Sequence, residues 1–314
     1  MTDPRLPLLV ILGPTGAGKS AAAHEIARRR GGEIVSADAF AVYRGFDIGT
    51  AKPTPEERRE VPYHLIDAAD PVETFSAGRW ARDARETIEG ISLRGRLPIV
   101  CGGSGFYIEA LLRGLPPGEA TDPALRASLA GWGKSRPDEA RRFLAVNDPV
   151  SAARIAPGNL RYVLRAIEIL LSTGTAASAR RREGERWTSR WRVVKLGVRP
   201  ASEDLYARIA TRVRRMLDAG WDSEVRRLLS RGISTEANGF RAIGYREVAD
   251  WVSGRAEREE TEQKIVAATR ALAKRQRTWF AREAGVEWVE PERAVPAALE
   301  RLSEIRFGEG SGRT

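Results

Sequence analysis

A chain of 314 residues, 42% of them apolar, can bury a sizeable core and fits two domains or one domain carrying an insertion. One cysteine, Cys101, excludes an internal disulfide and a cysteine zinc cluster, and two histidines, His24 and His64, exclude a histidine-rich metal site, so any metal is expected to be oxygen-bound Mg²⁺. The net charge of +10 suits a polyanionic partner such as nucleic acid, although arginine supplies nearly all of it and codon usage alone could produce that bias.

The first apolar run, from Leu6 to Leu12, is short and broken by Pro7, so it neither spans a bilayer nor reads as a signal segment, and a cytoplasmic protein is expected. Apolar runs then alternate with helical patterns: "PLLVILG", "SAAAHEIARRR", "EIVSAD", "HLID", "SAGRWARDARETIEGI" and "LPIVCGG". That alternation predicts parallel β/α units, with Ser76 as the N-cap of a helix that sets Trp80, Ala84 and Ile88 against a sheet. After Leu115 the pattern breaks at "PPGEATDP", and the chain reads as helices up to the arginine-rich "ARRREGERWTSRWR". "VVKLGV" returns to the sheet. Long helices are predicted over 202–229 and 257–282, separated by the turn-prone "SRGISTEANGFRAIGYRE", and the tail "FGEGSGRT" is expected to be disordered. The expected organisation is an α/β core of parallel sheet flanked by helices (1–115 and 193–314) with an inserted helical lobe (116–192).

The strand-to-helix turn "ILGPTGAGKS" matches the phosphate-binding P-loop pattern through Gly13, Gly18, Lys19 and Ser20. Glycines let backbone N–H groups close around phosphate oxygens, the helix N-terminus adds a favourable dipole, Lys19 supplies a point charge and Ser20 can hold Mg²⁺. Such a loop binds a nucleotide or any diphosphate. Asp38 follows the second strand at the carboxyl edge of the sheet, where it either accepts a proton, binds metal or closes a turn. "CGGSGFYIEALL" is a second glycine-rich turn able to bring Ser104 to the same ligand, or simply a tightly packed corner.

Taken together, "GPTGAGKS", "ADAFAVYRGFDIGTAKPTPEE", "VPYHLID", "IVCGGSGFYIEALLRGL", "RIAPGNLRYVLRAIEILLSTG", "RAIGYRE" and "TRALAKRQRTWF" resemble, in order and over nearly the whole chain, the tRNA dimethylallyltransferases. The resemblance implies a P-loop NTPase-like fold and transfer of a dimethylallyl group from dimethylallyl diphosphate to N6 of the adenosine 3′ of the tRNA anticodon. The family's eukaryotic members often carry a C-terminal zinc finger; one cysteine cannot, which points to the bacterial type.

By that resemblance the diphosphate cradle is Gly13, Pro14, Thr15, Gly16, Ala17, Gly18, Lys19 and Ser20, with Ser20 as the Mg²⁺ contact. Asp38 becomes the general base, Lys19 and Arg44 stabilise the departing pyrophosphate, and Ser104 touches the diphosphate. Implied tRNA contacts are Asp38, Ala39, Phe40 and Ala41; Arg126, Arg161 and Arg165; Arg241, Gly244, Tyr245 and Arg246; and Lys274, Arg275, Gln276 and Arg277. Trp279 is expected in the core from its helical spacing, and His24, His64 and Cys101 are read as structural. The chain departs from the family pattern at Ala39, where serine is usual, and at Ser104, where threonine is usual. A monomer is expected. The rivals are a P-loop kinase, a nucleotide-switched RNA-binding module and a prenyltransferase acting on free AMP.

Overall fold

The structure, a computed structural model, describes residues 5–114 and 123–305; the expected domain junction and the tail "FGEGSGRT" lie outside the described residues. Contacts divide the chain into two compact units, one of residues Met1–Phe75, Asp83–Gly105 and Trp191–Thr314, the other of Ser76–Arg82 and Phe106–Arg190.

The first unit is built on a six-stranded, all-parallel sheet: β1 (Leu6–Leu12), β2 (Gly32–Ser36), β3 (Tyr63–His64), β4 (Leu97–Gly102), β5 (Trp191–Val198) and β6 (Val286–Val289), in the order β3-β2-β4-β1-β5-β6. β1 sits between β4 and β5 and is buried from Pro7 to Leu12, which is why it reads as a continuous apolar run and not as an alternation. Helix α1 (Lys19–Arg30) and the C-terminal α14 (Ala294–Ser303) bring Ala23, Ile26, Ala298 and Leu302 into one core with Leu9, Ile11 and Ile99 of the sheet. The register sets Leu12 beside Gly102 and Ser36 beside Cys101, so the loops leaving β1, β2 and β4 emerge side by side at the carboxyl edge.

The remaining helices of this unit are α2 (Pro55–Glu60), most of α3 (Ala77–Leu93), α10 (Ser202–Asp218), α11 (Trp221–Ser230), α12 (Tyr245–Val252) and α13 (Arg258–Phe280). The single helix expected over 202–229 is two, divided at Gly220, whose φ of 90° belongs to the left-handed region. The strand expected at "HLID" lasts only two residues, because Leu65 and Asp67 turn to φ of 57° and 55° and the Asp67 carboxylate is held by Lys52 and Arg58 at 2.6 and 2.8 Å.

The second unit is helical: α4 (Gly105–Arg113) from Phe106 onward, α5 (Pro123–Ser135), α6 (Pro137–Asn147), α7 (Pro149–Arg154), α8 (Leu160–Thr173) and α9 (Ala177–Ser189), joined by the first turns of α3. α4 falls here, earlier than the boundary expected at 116, for two local reasons: the Trp80 ring stacks on Tyr107 at 4.8 Å, and the Thr188 hydroxyl donates to the Leu112 carbonyl at 2.5 Å. Its core is formed by Leu129, Ala140, Leu144, Val163 and Ile167. Buried Asp148 caps α7 by accepting from the Ser151 N–H, beside a proline in the first helical turn, and its other oxygen accepts from the Ser178 N–H of α9, both at 3.1 Å. Among the described residues, no helix is long and apolar enough to cross a membrane.

Candidate functional site

The loop between β1 and α1 takes the shape its glycines permit. Gly16 and Gly18 have φ of 80° and 90°, and Gly18 caps α1 with no side-chain acceptor and no acidic residue in the first turn. The first amides of α1 are thus left for an external anion, in the favourable field of a helix N-terminus. Gln276 of α13 fixes this loop: its Oε1 accepts from the Thr15 N–H and its Nε2 donates to the Gly103 carbonyl, each at 2.8 Å. Expected at the tRNA, Gln276 instead ties the phosphate loop to the turn after β4.

A cavity of about 220 Å³ opens at this edge and is lined by Thr15, Lys19, Ser20, Asp38, Ala41, Thr50, Lys52, Gly102, Gly103, Arg212 and Gln276. Asp38 Oδ1 accepts from the N–H groups of Phe40 and Ala41 at 2.8 and 3.2 Å, a turn that aims the carboxylate into the cavity; among the described residues Oδ2 accepts no hydrogen bond. Lys19 is 8% exposed and donates to the Pro14 carbonyl at 2.6 Å. Burial pushes its ammonium down to about 8, against a smaller upward pull from Cys101 and Asp38. Burial likewise lowers the Arg212 guanidinium, and Asp38 opposes it. One carboxylate and two desolvated cations therefore share a single small space beside the N-terminal amides of α1. That arrangement is suited chemically to an anion at one end and to a proton transfer at the other.

Arg212 was not among the expected residues. Its signal was present: it falls on the apolar stripe of α10 with Leu205, Ile209 and Val213, where a cation has no structural use. Lys52, whose side chain is 1% exposed and donates to Tyr43 O, Asp47 and Asp67, also belongs to the wall.

Gly102 has no room for a side chain, since a Cβ would overlap the Ala37 carbonyl. That carbonyl accepts from the Ser104 N–H at 3.1 Å while the Ala37 N–H donates to Cys101 at 2.8 Å, so it cannot retreat. Gly102→Ala is expected to cost about 2 kcal/mol in urea unfolding, the range of overpacked cores.

Other expected residues lie elsewhere. Arg44 donates to Asp70 at 2.6 Å and to the Asp67 carbonyl at 3.2 Å, and does not line the cavity, because the acidic turn after β3 captures it. Ser104 sits at the head of the β4 turn, next to the lining glycines and not among them. Tyr245 is fully buried, and Gly244 is packed against the Trp221 ring, so neither can contact RNA. Arg241 and Arg246 are exposed, bonded to Asn238 and Glu236 at 3.4 and 3.2 Å. Lys274 and Arg275 are exposed on α13, and Arg277 donates to Ser202 at 2.5 Å. Trp279 is 42% exposed with its indole against Gly105, and Phe280 takes the core position.

His24 meets Tyr63 and Glu60 at 3.0 Å, and His64 meets Glu33 at 2.7 Å. Burial pushes the Cys101 thiol up to about 11, which leaves it unreactive.

In the helical unit a separate cavity of about 680 Å³ is lined by Arg126, Arg154, Arg161 and Arg165 over largely apolar walls. Buried Glu168 accepts from Arg126 at 3.0 Å and from Arg165 at 2.7 Å, and together they hold its carboxyl below the usual range although burial alone would raise it. Among the described residues its one lining carboxylate, Glu168, is already taken by two arginines, whereas Asp38 in the smaller cavity keeps an oxygen open.

A family model described as IPP transferase matches residues 41–283, and another described as isopentenyl transferase matches residues 6–68. A tRNA dimethylallyltransferase of Thermomicrobium roseum is 44% identical, with 96% of this chain and 90% of the relative aligned. One from Geobacter sulfurreducens is 40% identical over 95% of each. The crystal structure of full-length tRNA isopentenylpyrophosphate transferase from Bacillus halodurans is similar with a TM-score of 0.68 and 35% identity, covering 95% of this chain and 96% of that one. A eukaryotic dimethylallyltransferase acting on tRNA, 24% identical, shares the fold at a TM-score of 0.77 over 97% of this chain and 81% of its own.

Proposed function

The chain belongs to the tRNA dimethylallyltransferase (IPP transferase) family of prenyltransferases, and from that premise we propose how its own residues carry the reaction. The protein transfers a dimethylallyl group from dimethylallyl diphosphate to tRNA; the acceptor we assign is N6 of the adenosine 3′-adjacent to the anticodon, with pyrophosphate released. The observation that carries the reading is the meeting of Asp38, Lys19 and Arg212 with the phosphate loop in one cavity.

In this reading the amides of the Gly13–Ser20 loop, with Lys19 and Arg212, bind the diphosphate and stabilise the charge that grows on it as the allylic C–O bond breaks. Asp38 receives the N6 proton as the amine adds to the allylic carbon. No group of three His, Cys, Asp or Glu side chains gathers among the described residues, so a hard cation would be held by the Ser20 hydroxyl together with diphosphate oxygens and water, a donor set that fits Mg²⁺. Bound there, Mg²⁺ would neutralise diphosphate charge.

A base inside an anticodon loop must be extruded to reach such a cavity, which requires an RNA-positioning surface. The exposed cations Arg241, Arg246, Lys274 and Arg275, with Arg277, and the arginines of the helical unit, Arg126, Arg161 and Arg165, are assigned to that task. Ala39, Phe40 and Ala41, of which Ala41 lines the cavity, are assigned to the extruded base. We further assign the protein to the cytoplasm, as a monomer.

Labelled dimethylallyl diphosphate, Mg²⁺ and unmodified tRNA are incubated with the protein and the nucleosides analysed. Labelled N6-dimethylallyl-adenosine at the anticodon-adjacent position is expected; unlabelled tRNA, or label only on free AMP, would refute the reading.

The lowered ammonium of Lys19 gives a pH signature. Below about 8 it is charged before ligand arrives; above about 8 the free protein carries it neutral and must take up a proton when the diphosphate binds. Affinity is therefore expected to fall as pH rises past that point, approaching about tenfold per unit, and calorimetry in two buffers of different ionisation heat would detect the proton uptake.

A further inference from the structure

The motifs "FDIGTAK" and "RAIGYRE" lie far apart in sequence, yet they meet around one buried acid. Glu224 of α11 is 3% exposed. Its Oε2 accepts from the backbone N–H groups of Asp47 and Ile48 at 3.1 and 2.8 Å, and its Oε1 accepts from the Tyr245 hydroxyl at 2.6 Å. The same hydroxyl accepts from the Gly49 N–H at 3.2 Å. Three consecutive amides of one loop are thus taken up by a single carboxylate–phenol pair.

The loop fits because its neighbours leave room. Gly49 and Gly244 both abut the Trp221 ring, where a Cβ on either would overlap, and Phe46 packs on Tyr245 and Phe240 at 4.6 and 5.3 Å. Beyond the anchored amides the chain turns sharply: Ala51 has φ of 50°, the Thr50 hydroxyl donates to Phe46 O at 2.5 Å, and the Lys52 N–H donates to Asp47 O at 3.0 Å. A non-glycine residue in that region persists only where its surroundings over-determine it. The strained end of the loop, Thr50 to Lys52, lines the cavity that holds Lys19, Asp38 and Arg212.

We propose that Glu224 and Tyr245 are positioning residues that lock the Asp47–Lys52 loop as one wall of the diphosphate cavity, so that the buried Tyr245 of "RAIGYRE" serves the diphosphate substrate from within the fold while the exposed Arg241 and Arg246 of the same motif remain on the tRNA-facing surface. This rests on the diphosphate reading above. The loop contributes shape to the cavity, and the pair that anchors it never touches the ligand.

Tyr245→Phe keeps the ring in its aromatic box and removes only the hydroxyl. It is expected to weaken inorganic pyrophosphate binding by about tenfold in calorimetry, the scale of losing a hydrogen bond to a charged group. Amide exchange at Asp47, Ile48 and Gly49 is expected to accelerate by a similar factor, and the KM for dimethylallyl diphosphate to rise while the KM for tRNA holds. Glu224→Gln, which retains an acceptor for the loop amides, should fall between wild type and Glu224→Leu, and it carries the same test should Tyr245→Phe fail to fold. Wild-type pyrophosphate affinity in folded Tyr245→Phe and Glu224→Leu, or an increase in KM for tRNA alone, overturns the inference. A wild-type protein that binds no pyrophosphate overturns the diphosphate reading itself.

Discussion

Replacing Asp38 with asparagine is expected to cut single-turnover prenyl transfer by about 10²-fold or more, the usual contribution of a positioned general base. Asparagine suits the test because the local turn survives it: the side-chain oxygen can still accept from Phe40 and Ala41, the bonds that Oδ1 makes in the native protein. What is lost is Oδ2, the oxygen that accepts no hydrogen bond among the described residues and that the cavity leaves for the incoming amine. The diphosphate end of the cavity, formed by the loop amides, Lys19 and Arg212, is untouched, so pyrophosphate affinity should not weaken. Nor should tRNA affinity, which the reading assigns to arginines elsewhere. The loss should therefore appear in the chemical step with both substrates saturating. Near-native turnover in Asp38→Asn would remove the base from the mechanism.

The parts legible beforehand are those in which one stretch of chain carries its own signal. β1, the phosphate loop and α1 form such a stretch, and Lys19 and Ser20 lie on the cavity where the pattern puts them. What escaped depends on partners distant in sequence. Tyr245 reads as an aromatic between two arginines in a turn, and nothing nearby announces that Glu224, Trp221 and Phe46 close over it. Arg44 looks like a free cation until the chain brings Asp70 against it. β6 escaped because an edge strand with all four residues half-buried has neither a buried run nor a clean alternation. Arg212 was within reach, since a cation in an apolar stripe is a local anomaly, but a helical period draws attention to its leucines first.

Lys19→Met is expected to raise stability while lowering diphosphate affinity, and both effects come from the same burial. In the unfolded chain the ammonium keeps its ordinary 10.5, whereas in the fold it is pushed down to about 8. Below about 8 the charged side chain destabilises the free protein by about 3 kcal/mol at most, and between the two values the folded state binds fewer protons than the unfolded one, so stability rises with pH. Methionine fills a similar volume, has no proton to lose and forgoes only the bond to the Pro14 carbonyl, worth about 1 kcal/mol, while that carbonyl still accepts from the Ala17 N–H at 3.3 Å. The variant should therefore be the more stable by urea unfolding at pH 7, with the gain shrinking as pH rises past about 8 and giving way to a deficit of about 1 kcal/mol above 10.5, where only the lost bond remains. Pyrophosphate affinity should fall by about 10²-fold, because the charge that burdens the free protein is the one that the diphosphate neutralises. Equal stability of the two proteins at pH 7 would mean that Lys19 is solvated in the free protein, and unchanged pyrophosphate affinity would move the diphosphate out of the loop altogether.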